Sequence, residues 1–211
     1  RRTRKITLPS VNRIDLRTHG QGLVRGLNVS VASARQQINL RRGSFVLKLH
    51  YSGFLDLGNL HQHGVEFVSQ EDNQICIVFV DERGLSIFAD HLSRLGLADE
   101  ALSYKNILEA LDGVESWSAD DRTSWAISRN GFPSEETFKL DVELWPIQVT
   151  GHPERGRVCG MFEEWLLSVG GAVLDKVNLD SLIMFRVEVD SEIAGLLLNH
   201  GDVRFVDLVP V

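Results

Sequence analysis

The sequence predicts an α+β protein made of two tandem ferredoxin-like (β-α-β-β-α-β) subdomains preceded by a basic N-terminal helix. Three observations predict it. The stretch "ICIVFVDERGLSIFADHL", from Ile75 to Leu92, is echoed by "LIMFRVEVDSEIAGLLLNH", from Leu182 to His200. Each runs an apolar strand into an acidic turn and then into an amphipathic helix. The second half of the chain supplies the full order β-α-β-β-α-β. The echo returns after about 100 residues, the spacing of a duplicated domain and not of a solenoid repeat.

The totals set the outer limits. The chain has 211 residues, 43% of them hydrophobic, enough for one large core or two small ones. No apolar run approaches the roughly 18 residues of a membrane span, and no secretory apolar region stands near the start. The first residue is Arg and not Met, so a fragment or a processed piece of a longer chain is expected. Charge is uneven: residues 1–43 hold ten Lys/Arg and one acid, Asp15, a net of +9, while the remainder carries a net of −16. A basic arm and helix packing on an acidic body is the expectation. Nucleic acid is not expected as a partner, because the basic segment has no aromatic residue before Phe45.

The elements follow in order, grouped as 1–43 basic arm and helix, 44–96 first ferredoxin-like half, 97–135 connector with helix, and 136–211 second ferredoxin-like half. "RRTRKITLP" is an extended basic lead. From Asn12 to Ile38, Leu16, Leu23, Leu27, Val31, Ala34 and Ile38 fall at helical steps. Gly20, Gly22 and Gly26 oppose a helix at about 1 kcal/mol each relative to Ala, so a break is expected near them. "SFVLKLHY" alternates Phe45, Leu47, Leu49 and Tyr51 against Val46, Lys48 and His50, as in a half-buried strand. "FLDLGNLHQHG" is a short connection, "VEFVSQ" and "QICIVFV" are strands, and Asp81–Glu82 suit a helix N-terminus. Leu85, Phe88, Leu92 and Leu95 mark that helix's inner face. "DEALSYKNILEALDGV" is expected as a helix inside the connector, which leaves the first half without a clear final strand.

The second half is more legible. "FKLDVELW" alternates Phe138, Leu140, Val142 and Leu144 against Lys139, Asp141 and Glu143. Val158, Phe162, Trp165, Leu166 and Val169 form a helix stripe. "AVLDKVNL" and "LIMFRVEV" are strands. Ser191 is a candidate cap for the next helix, with Ile193, Leu196 and Leu197 inward. "RFVDLVPV" is a last strand, which Pro210 restricts to an edge or an exit.

Candidate chemistry is sparse. His61-Gln62-His63 with His50 lacks metal-ligand spacing, and a solvated loop is expected there. The acids of "DVELW" and "EVDSE" fall on wet faces. The tryptophans at 117, 125, 145 and 165 are too far apart for a ligand cage and suit a core or an interface. Cys76 and Cys159 stand among apolar residues, as buried thiols do in a reducing compartment. "GQGLVRG" does not have the spacing of a phosphate cradle. His-Gly occurs at His19, His63 and His200 but never as His-Gly-Thr, and no nucleophile context follows. No cofactor and no metal is expected, and the chain reads as non-catalytic, working by contact.

The run "NRIDLRTHGQGLVRGLNVSVASARQQ", the segment "FVLKLHYSGFLDLGNLHQHGVEFVSQEDNQICIVFVDERGLSIFADHLSRL", the helix "KNILEALDGVESW", the strand "FKLDVELW" and the final "VDLVP" agree in order and spacing with one family. Over about residues 12–209 the chain resembles the region preceding the catalytic domain in bacterial subtilisin-like serine peptidases encoded beside AAA-type ATPases and linked to phage defence. "VFVDERGL" departs from that family by lacking its usual Pro and Lys. The resemblance implies a cytoplasmic bacterial protein whose parent is a subtilisin-like endopeptidase, with the triad downstream and none of it on this chain. It implies that the second half docks a sheet face on the catalytic domain as folding aid or inhibitor, with Leu208, Pro210 and Val211 as peptidase-cleft contacts, and that the AAA ATPase is a candidate partner. An independent protein-interaction or sensing module, or a small-ligand-binding tandem, are the alternatives.

Overall fold

The computed structural model describes residues 15–38, 43–53, 55, 57–72, 75–97, 102, 105–146 and 153–210. The basic lead "RRTRKITLP" lies outside them. The chain is α+β with two four-stranded antiparallel sheets, each the centre of a ferredoxin-like unit. The first unit takes Arg1–Arg35 and Gly43–Ser116, and the second takes Gln36–Arg42 and Trp117–Val211.

Unit 1 begins with α1, Leu16–Ala34. Asp15 caps it by accepting from Thr18 N at 3.0 Å, which satisfies one of the free N–H groups of the first turn. The helix is continuous, so the expected break at the glycines does not occur. The reason is a close crossing: a Cβ on Gly20 would lie 2.6 Å from Leu92 O on the neighbouring helix, so bare backbone is what lets the two helices meet. Leu23, Leu27, Val31 and Ala34 are buried as their spacing requires. Ile38 lies beyond the helix and forms a parallel bridge with His200 inside unit 2.

Strand β1, Ser44–Tyr51, buries every second residue. A 3-10 helix, Leu57–His63, leads to β2, Glu66–Glu71, and a turn leads to β3, Ile75–Asp81. Helix α2, Glu82–Arg94, is capped by Asp81 and buries Phe88 and Leu92. Residues placed in a connector by sequence form α3, Lys105–Ala110, and β4, Leu111–Ser116. The sheet order is β2-β3-β1-β4, so β4 is the final strand that the first half lacked on sequence grounds. Leu111 and Val114 are both buried although three residues apart. The pairing with β1 shifts register between His50 and Tyr51, leaving Asp112 as the extra residue of a bulge. That bulge converts a period of two into a step of three, and a step of three reads as a helix.

Unit 2 opens with two short helices, α4, Ala119–Arg122, and α5, Trp125–Asn130. Strand β5, Phe138–Leu144, is followed by α6, Pro153–Ser168, then β6, Ala172–Leu179, and β7, Leu182–Val189. Helix α7, Ser191–Leu198, leads to β8, Val203–Leu208. The order is β6-β7-β5-β8, which matches unit 1 strand for strand. Asp190 caps α7 by accepting from Ile193 N at 2.8 Å. Ser191, the expected cap, is the first helical residue. Val158, Phe162 and Leu166 on α6 pack over Leu140, Val142, Phe185 and Val187, with Trp165 and Val169 at the margin of the core.

The two units share their irregularities as well as their order. β2 shifts register against β3 between Phe67 and Ser69, and β6 against β7 between Val173 and Asp175. β4 shifts against β1 at Asp112, and β8 against β5 between Glu143 and Leu144, leaving Arg204 as the extra residue. A bulge at the same place in the edge strand and in the last strand of both sheets is what a duplicated architecture leaves behind.

Candidate contact surface

The outward face of the second sheet is built by alternation. Leu140, Val142 and Leu144 of β5 point into the core, so Lys139, Asp141 and Glu143 point out. On β7, Met184, Arg186 and Glu188 are outward by the same rule. Register sets Asp141 opposite Arg186. Their pair is two-pronged, Nε to Oδ1 and Nη2 to Oδ2, each 2.9 Å, the planar fork geometry that favours Arg with a carboxylate. The hydrogen bonds that Arg186 donates to Asp141, and then the Asp141 charge, raise the Arg186 pKa. Arg204, the bulge residue of β8, pairs with Glu143 at 2.8 Å, and its guanidinium lies 5.7 Å from the Trp145 ring. The acids of "DVELW" thus stand on the outer face, half-buried and paired across strands.

The two edges of this sheet differ. Beside β8, Thr123 makes a parallel bridge with Val206, and Ser124 N donates to Val206 O at 3.1 Å. The opposite edge, β6, is exposed along almost its whole length and presents Leu174 and Leu179 to solvent. Leu167 on α6 is exposed as well.

Leu208 is the last residue of β8 and pairs with Leu140. Val209 is half-buried, Pro210 is exposed, and Val211 lies outside the described residues. Of the three residues assigned to a peptidase cleft, Leu208 is therefore held in its own sheet and Pro210 stands free of strand pairing.

A buried polar centre lies within unit 2. Arg122 is fully buried. Its Nε donates to the carbonyls of His200 and Val203, Nη1 donates to Trp117 O at 2.6 Å, and Nη2 donates to Gln37 Oε1 at 3.1 Å. Burial pushes its pKa down to about 10, against the charges of Asp121 and Asp202. His200 is also fully buried, with the Trp165 ring 4.5 Å away and Phe162 at 5.6 Å. Burial and then the Arg122 charge hold its imidazole down to about 3. These groups hydrogen-bond chain segments far apart in sequence, and no sequence motif announced them. Arg122 sits in a polar stretch that reads as a loop.

The histidines of unit 1 divide. His50 reaches Glu115 at 3.2 Å on the outer face of β1, where Lys48 also reaches Glu115 at 3.3 Å. His61 is exposed. His63 is not part of a solvated loop as expected: it is buried, with its Nδ1 3.0 Å from His91 Nδ1. The 3-10 helix turns it inward. Of the tryptophans, 117 and 145 meet edge to face at 5.1 Å, whereas Trp125 is exposed with Arg129 over its ring. Cys159 is buried and forms no disulfide among the described residues, and the Cys76 side chain lies outside them. Among the described residues no group of three or more His, Cys, Asp or Glu gathers as metal ligands do, and no helix is long and apolar enough to cross a membrane.

No curated protein matches the chain. Residues 17–118, which span the strands of unit 1, match the family model of the Y4kK N-terminal domain, and residues 121–208, which span those of unit 2, match that of the Y4kK central domain, so the two units are similar to these two domains in turn.

Proposed function

We propose that this chain is the non-catalytic N-terminal regulatory or prosegment region of a subtilisin-like serine peptidase and that it docks on the peptidase as a folding aid or inhibitor. The observation that carries this reading is unit 2 itself: a β-α-β-β-α-β fold with an open outer sheet face, whose last strand lies at an edge and runs out through Val209 and Pro210. An extended tail leaving an edge strand can enter a cleft and pair through its main chain. The residue-level resemblance to peptidase N-terminal regions supports the same reading. So does the similarity of unit 2 to a domain described as central, since a central domain has others on both sides. Because Leu208 is held by β5, the tail that enters the cleft begins after it, with Pro210 and Val211. An AAA ATPase as second partner, a role in phage defence and a bacterial cytoplasmic setting belong to this proposal on the strength of the resemblance.

The test is inhibition in trans of the cognate catalytic domain by residues 1–211 and by residues 1–208, which keep β8 whole. Inhibition by the long form alone supports tail insertion, and equal inhibition supports docking by the sheet face. Failure of both to bind at micromolar concentration sinks the proposal. It would leave an independent protein-interaction module, which the exposed Leu174 and Leu179 on the open β6 edge favour.

A further inference from the structure

His63 ends the 3-10 helix of unit 1 and is buried, while His61, two residues earlier, is exposed. Its ring meets that of His91 on α2 edge to face, with centroids 4.8 Å apart, interplanar angle 84° and the two Nδ1 atoms 3.0 Å apart. Two imidazole nitrogens at that distance share one proton, one ring donating and the other accepting. Two protonated rings would each point a donor at the other. The main chain beside the pair is equally close. A Cβ on Gly64 would lie 2.6 Å from Gly84 Cα, and one on Gly84 would run into Gly64 O. The end of the 3-10 helix and the first turn of α2 therefore touch backbone to backbone, and the histidines sit beside that seam.

We propose that the His63–His91 pair is a proton-operated clasp: with at most one charge it holds the 3-10 helix on α2, and a second charge gained on acidification releases it. The surrounding charges are engaged or turned away. On α2, Glu82 pairs with Arg35, Asp90 pairs with Arg94, and Arg83 is exposed. Asp81 at the end of β3 accepts from Gly84 N. Glu66 on β2 is exposed, and Glu71 accepts from Ser69. On α1, which packs against α2, the titratable groups are Arg17, His19 and Arg25, with Arg35 as its C-cap. Burial first, and the His91 charge second, hold the His63 imidazole down to about 4. Release therefore favours protons over the whole range from the ordinary histidine value of 6.5 down to about 4. The clasp belongs to unit 1 and does not depend on what the chain docks on.

Hydrogen exchange of the full 211-residue chain, at pH 7.5 and pH 5.0 with a chelator present and corrected for intrinsic chemistry, reads the opening directly. Opening of residues 57–64 and of the first turns of α2 should rise roughly ten- to thirty-fold between the two pH values. In His63→Gln, which keeps a hydrogen-bonding partner for His91 but cannot take a charge, the ratio should stay near one. If that variant does not fold, His91→Gln carries the test by NMR: the His63 titration midpoint should move up from its native value. A native ratio near one, an equal rise in His63→Gln, or an unmoved His63 midpoint in His91→Gln would each overturn the clasp.

Discussion

In unit 1 the step from β1 to β2 is made by a 3-10 helix of seven residues, whereas in unit 2 the step from β5 to β6 is made by the sixteen-residue α6. A sheet face left with one helix would expose apolar residues to water, at roughly 25 cal/mol per Å². Unit 1 solves this with α1, which comes before the first strand and packs Leu23, Leu27 and Val31 into the core with Leu47, Leu49 and Val114. Unit 2 also carries helical pieces before its first strand, α4 and α5, but these are short and border β8. The comparison teaches that the strand order is the inherited part, while the roof can come from any segment that is apolar on one face and long enough.

The largest expected effect would break this comparison outright. Deleting residues 1–34 removes the roof of unit 1 but no strand. Amides of β1 and β3 should lose hydrogen-exchange protection while those of β5 and β7 keep theirs. Protection retained in β1 would show that α1 is dispensable. Next is Phe162→Ala, which empties the position where α6 meets Phe185, with ring centroids 4.9 Å apart. It should cost about 3–5 kcal/mol by denaturant titration. Trp165→Ala should cost less, because Trp165 lies at the margin of the core. An equal cost for the two would place the centre of α6's inner face wrongly.

Among the described residues each unit also buries a neutral histidine, His63 or His200, and this sharpens the comparison with pH. Both pKa values are lowered from 6.5, to about 4 and about 3, with burial the largest cause. Below 6.5 the unfolded chain binds protons that the folded chain refuses, so stability falls as pH falls. The contribution is complete above about 6.5 and is lost progressively down to about 4 for His63 and about 3 for His200. Thermal midpoints from pH 7.5 to 4 should decline, and His200→Asn should flatten the part owed to unit 2 provided that it folds. A midpoint that does not change over this range would show that neither ring is held neutral.

Two glycines of α1 make a smaller, paired test. Gly20→Ala forces a Cβ against Leu92 O and should cost about 1–3 kcal/mol. Gly22→Ala meets nothing within 4 Å and should gain about 0.5–1 kcal/mol from helix propensity. Equal signs for the two would show that α1 does not cross α2 as closely as described. The smallest effect is expected at Arg186→Ala. Its pair with Asp141 is partly exposed and screened by water, so the denaturation midpoint should stay close to that of the native chain. A large fall in the midpoint would mean that the outer sheet face is not the open surface proposed for docking.

Much of this protein was legible in its residues. The alternation of Phe138 to Leu144 and of Leu182 to Val189, the stripe of Val158, Phe162 and Leu166, and the acidic helix start at Asp81–Glu82 are local patterns. Local patterns survive folding because one face of each element must leave water. The open acidic face of β5 was legible for the same reason. By contrast, β4 was hidden, because the bulge at Asp112 that spaces Leu111 and Val114 by three exists only against β1. The continuity of α1 was hidden too, since Gly20 looks like a breaker until Leu92 is beside it. Arg122 and the His63–His91 pair owe their state to partners 78 and 28 residues away. The sequence by itself determined β1 to β3, β5 to β8 and the helices α1, α2, α6 and α7 in their order, because those depend on periodicity along the chain. Tertiary structure alone decided which polar groups are buried, which glycines are contacts and which edge of the sheet stays open, because each depends on a partner that the chain reaches only by folding.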